Sequence, residues 1–397
     1  MTRYDQYNGL TGAEQWCPEL ARFGRRVAQG TLDRLDEAFG HCLRRTRGGE
    51  RAGFPRFKSR SRWDSVQWSN AGGSWKVTPT GKGTYDRLRV QGVGHISIKL
   101  HRRFDGAQPV KLVVRRRLRG WEATVFYRDV TVDPLAETGR HAGVDLGVSV
   151  LAAIADDRGA VELVANPAPL TRALHQLGRT QQALAACQKG SNRRDRARRR
   201  VARLHEQVRQ QRRQHAHQLS ARLVADYDLI AIEDLRIPNM TRSARGSVEA
   251  PGRGVAAKSG LNRSIQDAGW GQLVNLLTYK AEGAGRQLVR VPARHTSQTC
   301  ATCGATDPAS RPDRIHFSCT ACGHTAHPDA NAARVILAIA TGRLTITRLP
   351  PAKRPGSGHR DAVRPAADRE VTNPDVKPAP GRVHRPYSLC PNEAHDR

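Results

Sequence analysis

Four cysteines, Cys300, Cys303, Cys319 and Cys322, stand as Cys-x2-Cys, fifteen intervening residues, then Cys-x2-Cys. Two residues between paired thiolates let each pair grip one metal from a tight turn, and a second such turn completes a tetrahedron of sulfur. Soft thiolates select zinc over magnesium or calcium. Gly304 and Gly323 follow the second cysteine of each pair, where the knuckle needs backbone freedom. Four protein ligands close the shell, so the zinc is expected to hold the fold and do no chemistry. One pair alone could be a redox dithiol; two matched pairs argue against it. His316, His324 and His327 lie nearby and read as surface or packing residues, because the thiolates already fill the shell.

Three acids occupy suggestive places: Asp145 in an apolar run, Glu233 at the end of another, and Asp329 at the start of a helical segment. Taken singly, Asp329 reads as an N-cap and an acid ending a strand as a solvated terminus. Taken together, Asp145 and Glu233 lie in runs too apolar to hold charge without a cation. Magnesium, a hard ion, suits carboxylates plus a substrate phosphate. Two such ions about 4 Å apart activate water and steady the leaving oxygen in phosphodiester cleavage.

The charge balance fits that chemistry. The chain of 397 residues carries 66 Lys and Arg against 36 Asp and Glu, a formal charge of +30. Self-repulsion on that scale calls for a polyanion, and nucleic acid answers it, because neutralised phosphates release condensed counterions. An anionic membrane surface is the rival, but no basic amphipathic helix with an aromatic face is evident. No run approaches the roughly 18–20 apolar residues of a membrane span. The start, Met1-Thr2-Arg3-Tyr4-Asp5, lacks the apolar core of a secretory signal, so a cytosolic, soluble protein is expected. Cys17, Cys42, Cys187 and Cys390 are scattered, which suits a reducing compartment better than a disulfide framework.

These residues need elements to position them. Residues 1 to about 50 read as helical, with Leu32, Leu35, Ala38, Phe39 and Leu43 on one face. Gly53-Phe54-Pro55-Arg56-Phe57 breaks that pattern. From about 62 to 132, alternation and Gly-rich turns predict an antiparallel barrel or sheet. Arg115, Arg116, Arg117 and Arg119 among its aromatic residues suit a nucleic-acid surface, and equally a solvated basic face. His141 to Ile154 predicts a buried strand, a Gly turn and a return strand, and 171–222 long helices. Arg193, Arg194, Arg196, Arg198, Arg199, Arg200 and Arg203 crowd those helices with only Asp195 opposing, and are read as lying along a phosphate backbone. Asp228 to Leu235 reads as a buried strand, 241–260 as a mobile loop, Ser264 to Gly283 as a helix and Leu288 to Val291 as a strand. A last helix is expected from Asp329 to Leu344, followed beyond about Leu349 by a disordered Pro-rich tail.

Five segments, Gly143-Val144-Asp145-Leu146-Gly147, Ile232-Glu233-Asp234-Leu235, Ser264-Ile265-Gln266-Asp267-Ala268-Gly269-Trp270, Thr296-Ser297-Gln298-Thr299-Cys300 and Asp329-Ala330-Asn331-Ala332-Ala333, stand in an order that resembles the TnpB (OrfB) family. These insertion-sequence proteins are related to type V CRISPR effector nucleases. The resemblance covers about residues 50–345 and takes in Gly53 to Phe57. It implies an α+β multidomain protein with an RNase H-like (RuvC) α/β nuclease core and an inserted four-cysteine zinc ribbon. The expected layout is a partial helical recognition lobe (1–51), a β-rich wedge (52–132), the nuclease domain (133–295) with a basic helical insert at about 171–222, the ribbon (296–326), a C-terminal nuclease helix (327–348) and a tail (349–397). Asp145, Glu233 and Asp329 become the catalytic acids with magnesium, and Cys300, Cys303, Cys319 and Cys322 the zinc ligands. Arg56 and Lys58 join the arginine cluster as expected nucleic-acid contacts.

The activity implied is RNA-guided cleavage of double-stranded DNA beside a short motif, with a guide RNA from the transposon end. Base pairing would read sequence while the protein grips shape and backbone. A cytoplasmic, nucleoid-associated location follows. Family members usually begin with a strand and helix ahead of the region matching 1–50, so the N-terminus is expected to be truncated. A non-cleaving RNA-guided DNA-binding protein and a transposition accessory protein are the alternatives. A strand-joining tyrosine transposase lacks its signature, since no His-hydrophobe-His pair precedes a helical Tyr.

Overall fold

The computed structural model describes residues 3–345 apart from 13–14, 16, 60–61, 70, 81–84, 103, 105, 119, 131–132 and 248–249. The tail expected from 349 and Arg119 lie outside the described residues.

Helices α1 (Arg3–Gly9), α2 (Pro18–Phe23) and α3 (Arg25–Arg47) open the chain. Gly30 of α3 lets that helix lie directly on strand β1 (Ser65–Ser69): a Cβ there would run into the Gln67 peptide, 2.9 Å from its carbonyl carbon. Asp33, one turn on, accepts from the Ser69 hydroxyl at 2.5 Å and from the Tyr7 hydroxyl.

The β region is two small sheets sharing one core, where one barrel or sheet was expected. β1 pairs antiparallel with β5 (Gln108–Arg117), which pairs with β6 (Gly120–Arg128). β2 (Trp75–Thr78), β3 (Asp86–Val90) and β4 (Gly94–Ile98) form the other. Trp68, Trp75, Leu88, Val90 and Leu112 are buried between them. In β3, Leu88 and Val90 point in and Arg87 and Arg89 out, the period-two pattern of a half-buried strand.

The second region is a five-stranded sheet in the order β11-β10-β7-β8-β9. β7 (His141–Leu146) is central; on one side β8 (Val150–Asp156) runs antiparallel to it, and β9 (Val161–Ala165), antiparallel to β8, runs in the direction of β7. β10 (Leu229–Glu233) and β11 (Gln287–Val291) run parallel on the other. Ala142, Val144 and Leu146 face a core with Leu219, Leu223, Leu273 and Leu277, from helices α5 (Asn192–Asp226) and α8 (Trp270–Gly283). The opposite face is lined by small residues, Gly143, Ala153, Ala155 and Ala231, and helix α9 (Pro328–Ala340) packs there through Ala333 and Ile336. Gly143 makes the approach possible, since a Cβ would clash with the Ala333 carbonyl and sit 2.7 Å from the Leu337 nitrogen.

Helix α4 (Pro169–Ala185) and the first half of α5 form a hairpin, and the buried residues of α5 begin only at Val208. Short α6 (Ile237–Met240) precedes α7 (Val255–Ala268). The helix expected from Ser264 to Gly283 is in fact two. α7 starts nine residues earlier, within the segment expected to be a loop, and Gly269 at φ 70° ends it and begins α8. A left-handed residue between helices turns the chain without loss of backbone pairing, which glycine permits. α9 begins one residue before Asp329 and ends at Ala340, short of the Leu344 expected.

Candidate metal centres and nucleic-acid surface

The thiolates converge. The sulfurs of Cys300 and Cys322 are 3.8 Å apart and those of Cys303 and Cys319 3.6 Å, with all four within 4.8 Å of one another. A tetrahedral ion with sulfur at about 2.3 Å has S···S edges of about 3.8 Å, so the cage is the right size. Each knuckle is built alike. The Gly304 amide donates to the Cys300 carbonyl and the Gly323 amide to the Cys319 carbonyl, both at 2.9 Å. Both glycines are left-handed, with φ of 75° and 71°. Strands β12 (Phe317–Ser318) and β13 (Thr325–Ala326) support the second knuckle, over a core of Cys300, Cys319 and Phe317. His316 is exposed against Asp313.

Asp145, Glu233 and Asp329 come from three distant parts of the chain to one place. Extending the β7–β10 register by one pair beyond Val144 and Ile232 sets Asp145 beside Glu233, both on the α9 face. Asp329 is the second residue of α9, and the cap is His327, whose Nδ1 accepts from the Asp329 amide at 3.3 Å. Its carboxylate oxygen lies 4.0 Å from the point a Cβ on Gly147 would occupy, over the β7–β8 turn. Burial first, then the charges of Glu233 and Asp329, push the Asp145 carboxyl up to about 8. Burial likewise raises Glu233, against the opposing pull of Thr296 and Arg311. Among the described residues no other group of His, Cys, Asp or Glu is gathered as tightly as the thiolates, so the carboxylates form a more open set. Acids held together against burial and mutual repulsion are what a site for a divalent cation requires.

Sequence reasoning gave no role to the residues that hold this set. The Thr296 hydroxyl donates to the Glu233 carboxylate from a turn entered through His295, a non-glycine residue at φ 67°. Arg311, between the two cysteine pairs, reaches Asp329 at 3.4 Å and brings the positive charge that opposes the rise at Asp145 and Glu233. Asn331, fully buried on α9, donates to the Thr299 carbonyl at 2.7 Å and accepts from the Ala301 amide at 2.9 Å. It thereby fastens both sides of Cys300 to the helix carrying Asp329. Asp267 caps α4 through the Leu170 and Thr171 amides and pairs with Arg212 of α5 at 3.1 Å. Next to it, the Trp270 indole donates to the Gly147 carbonyl at 3.1 Å. A motif name carries none of this; the contacts join residues 18 to 123 positions apart.

The basic residues divide. Arg193, Arg196, Arg199, Arg200 and Arg203 are exposed on the projecting half of α5, with Arg193, Arg196, Arg200 and Arg203 along one side. Arg194 instead closes the α4–α5 hairpin, donating to the Leu184 and Cys187 carbonyls at 3.1 and 3.0 Å. Arg198 pairs with Asp195 at 3.1 Å. Arg56 is exposed, and Lys58 lies 5.3 Å from the Trp63 ring and 3.1 Å from Asp64. Arg115 and Arg116 are exposed, while Arg117 forms a fork on Glu122 at 2.8 and 3.2 Å. Among the described residues no helix is long and apolar enough to cross a membrane.

Comparison with known proteins gives a consistent answer. The OrfB_IS605 family model, described as "Probable transposase", matches residues 124–244. A second, described as "Cas12f1-like, TNB domain", matches 270–336, the span from α8 through the cysteines into α9. The chain is 32% identical over 310 residues to an Escherichia coli protein named "Putative RNA-guided DNA endonuclease InsQ", covering 78% of this chain and 73% of that one. It is 29% identical to a Streptomyces pristinaespiralis protein of the same description, covering 78% and 70%. Among solved structures, a Cas12f1–sgRNA–target DNA complex aligns at a TM-score of 0.53 and 13% identity, over 79% of this chain and 71% of that one. That likeness places the fold with the Cas12 nucleases.

Proposed function

Because the chain belongs to the TnpB (OrfB) family, we propose that it is an insertion-sequence-encoded, RNA-guided DNA endonuclease cutting by a divalent-metal-dependent RuvC mechanism. The observation that carries this reading is the convergence of Asp145, Glu233 and Asp329, with Asp145 pushed up to about 8 by burial and its acidic neighbours. The order of the five-stranded sheet, with β8 alone running against the other four strands, supports an RNase H-like core. On that layout 52–132 is the wedge, 133–295 the nuclease domain, 296–326 the ribbon and 327–348 the last nuclease helix.

Asp145, Glu233 and Asp329 would hold magnesium, which when bound supplies an activated water and neutralises developing charge in phosphodiester cleavage. The chain's own residues set the stage. Thr296 fixes one oxygen of Glu233, and the other would be left to hold the ion. Arg311 brings a guanidinium beside the acids, where it can pair with a phosphate oxygen of the strand. Cys300, Cys303, Cys319 and Cys322 would hold zinc, and through Asn331 the ribbon sets the position of α9. The exposed arginines of α5, with Arg56 and Lys58, form the surface for guide RNA and target DNA, where backbone contacts are made without reading sequence.

The test is direct. The full chain with its flanking element RNA, given magnesium and a plasmid matched to the guide, is expected to cut. A mismatched plasmid or EDTA should leave it intact. Guide-dependent protection of the plasmid without strand breaks would instead assign a DNA-binding protein.

A further inference from the structure

Glu233 also lines a cleft of about 310 Å³ whose other residues the metal chemistry does not use. It opens at the carboxyl ends of the parallel strands β10 and β11, where α/β sheets commonly take ligands. Its walls are aliphatic: Leu235, Ile237 and Pro238 from the segment after β10, and Val274 from α8. Gly271 keeps it open, for a Cβ there would already touch Ile237 Cδ1 at 3.6 Å and anything larger would enter the cleft. Besides Glu233, the polar groups are two. Asn275, exposed one turn after Gly271, has no hydrogen bond from its amide among the described residues. Arg290 is exposed and held only loosely, 3.8 Å from Asp234.

We propose that this cleft takes one unpaired nucleobase, that of the nucleotide flanking the bond to be cut. The inference rests on the nuclease reading above. A phosphate at the carboxylates places its neighbouring nucleotide within reach of the cleft, because Glu233 forms part of both. The volume is at the small end of ligand sites, about 300–1,000 Å³, enough for one nucleoside and too little for a base pair. Apolar walls with a few placed polar groups match a flipped base, whose faces are apolar and whose edge is polar. The Asn275 amide presents a donor and an acceptor side by side, the pattern that pairs with a base edge. Arg290 can exchange its loose carboxylate partner for the phosphate of the same nucleotide. The strand is therefore single at the cut, and the base in the cleft biases where the cut falls.

The experiment uses the full chain with guide RNA and targets whose displaced strand is randomised around the cut, with cut positions sequenced. The expected result is a base preference at one position flanking the cut. Asn275→Ala should flatten it by about 3–10-fold, the value of one or two hydrogen bonds, and Gly271→Leu should abolish it. A second readout needs no cutting. 2-Aminopurine at that position, in the complex formed by Asp145→Asn, should brighten on leaving the base stack, and brighten less when Gly271→Leu is added. An even cut distribution from wild type, or brightening that Gly271→Leu leaves unchanged, overturns the proposal. Cleft-dependent brightening with a wild type that never cuts supports the subsite and overturns the nuclease reading instead.

Discussion

Replacing Asp145 by Asn should stabilise the metal-free protein at pH 8 and do little at pH 4. Asp145 is an acid whose carboxyl is pushed up to about 8 in the folded chain, from an ordinary value of 3.8. Well below pH 3.8 it is protonated in both the folded and unfolded states and the fold suffers no penalty. Between pH 4 and 8 the unfolded chain gives up the proton and the folded chain keeps it. Stability then falls by about 1.4 kcal/mol per pH unit, and above pH 8 the whole difference is lost. Four units give an upper value of about 6 kcal/mol, and relaxation of the site with entry of water brings the expected effect to about 2–5 kcal/mol. Asn has nearly the same shape and never ionises, so it escapes the penalty. Denaturant unfolding in EDTA at pH 4, 6 and 8 should show a gap in favour of Asp145→Asn that widens with pH. Magnesium should narrow or reverse that gap, by stabilising the wild type alone. A variant no more stable than wild type at pH 8, or a gap independent of pH, would refute the account of Asp145 as a carboxylate held for a cation.

Three other outcomes follow from the same geometry. Gly143→Ala forces α9 away from β7 at the Ala333 carbonyl and should cost about 1–3 kcal/mol, with magnesium binding weakened as Asp329 moves off; thermal melts with and without magnesium measure both. Cys319→Ser should lower DNA cleavage while guide RNA binding, read by gel shift, persists; equal loss of both would point to general unfolding. Arg311→Ala removes a positive charge beside the acids, so calorimetry should show magnesium bound no more weakly, while cleavage slows by about 100-fold or more if the guanidinium stabilises the reacting phosphate.

The parts of the site legible in the sequence are those encoded locally. Cys-x2-Cys spacing dictates a knuckle whatever surrounds it, and the left-handed Gly304 and Gly323 are where that turn needs them. Asp145 and Glu233 stand out because charge ends or interrupts a run that must be buried. The rest depends on residues far apart in the chain. Gly143 reads as one glycine in a strand until α9, nearly 190 residues on, is seen resting against it. Thr296, Arg311 and Asn331 belong to no periodic pattern, and what they do appears only when ribbon, sheet and last helix meet. Asp329 shows the limit from the other side. Its place at a helix start suggests a cap, but His327 takes that role and leaves the carboxylate to the cluster. The helix break at Gly269 is hidden in the sequence because the apolar pattern continues through it. The break places the Asp267 cap and the Trp270 indole on opposite sides of one turn.

The central claim is that three carboxylates act as one metal centre that cuts DNA under the direction of a guide. Asp145→Asn, Glu233→Gln and Asp329→Asn, singly and in pairs, can be assembled with guide RNA and tested on matched plasmid in magnesium, with DNA binding measured in parallel. The account predicts that each single change abolishes cutting while guide-dependent binding stays, and that pairs are no worse than singles, as befits groups acting as a unit. Cutting at the wild-type rate by any one of the three would contradict it.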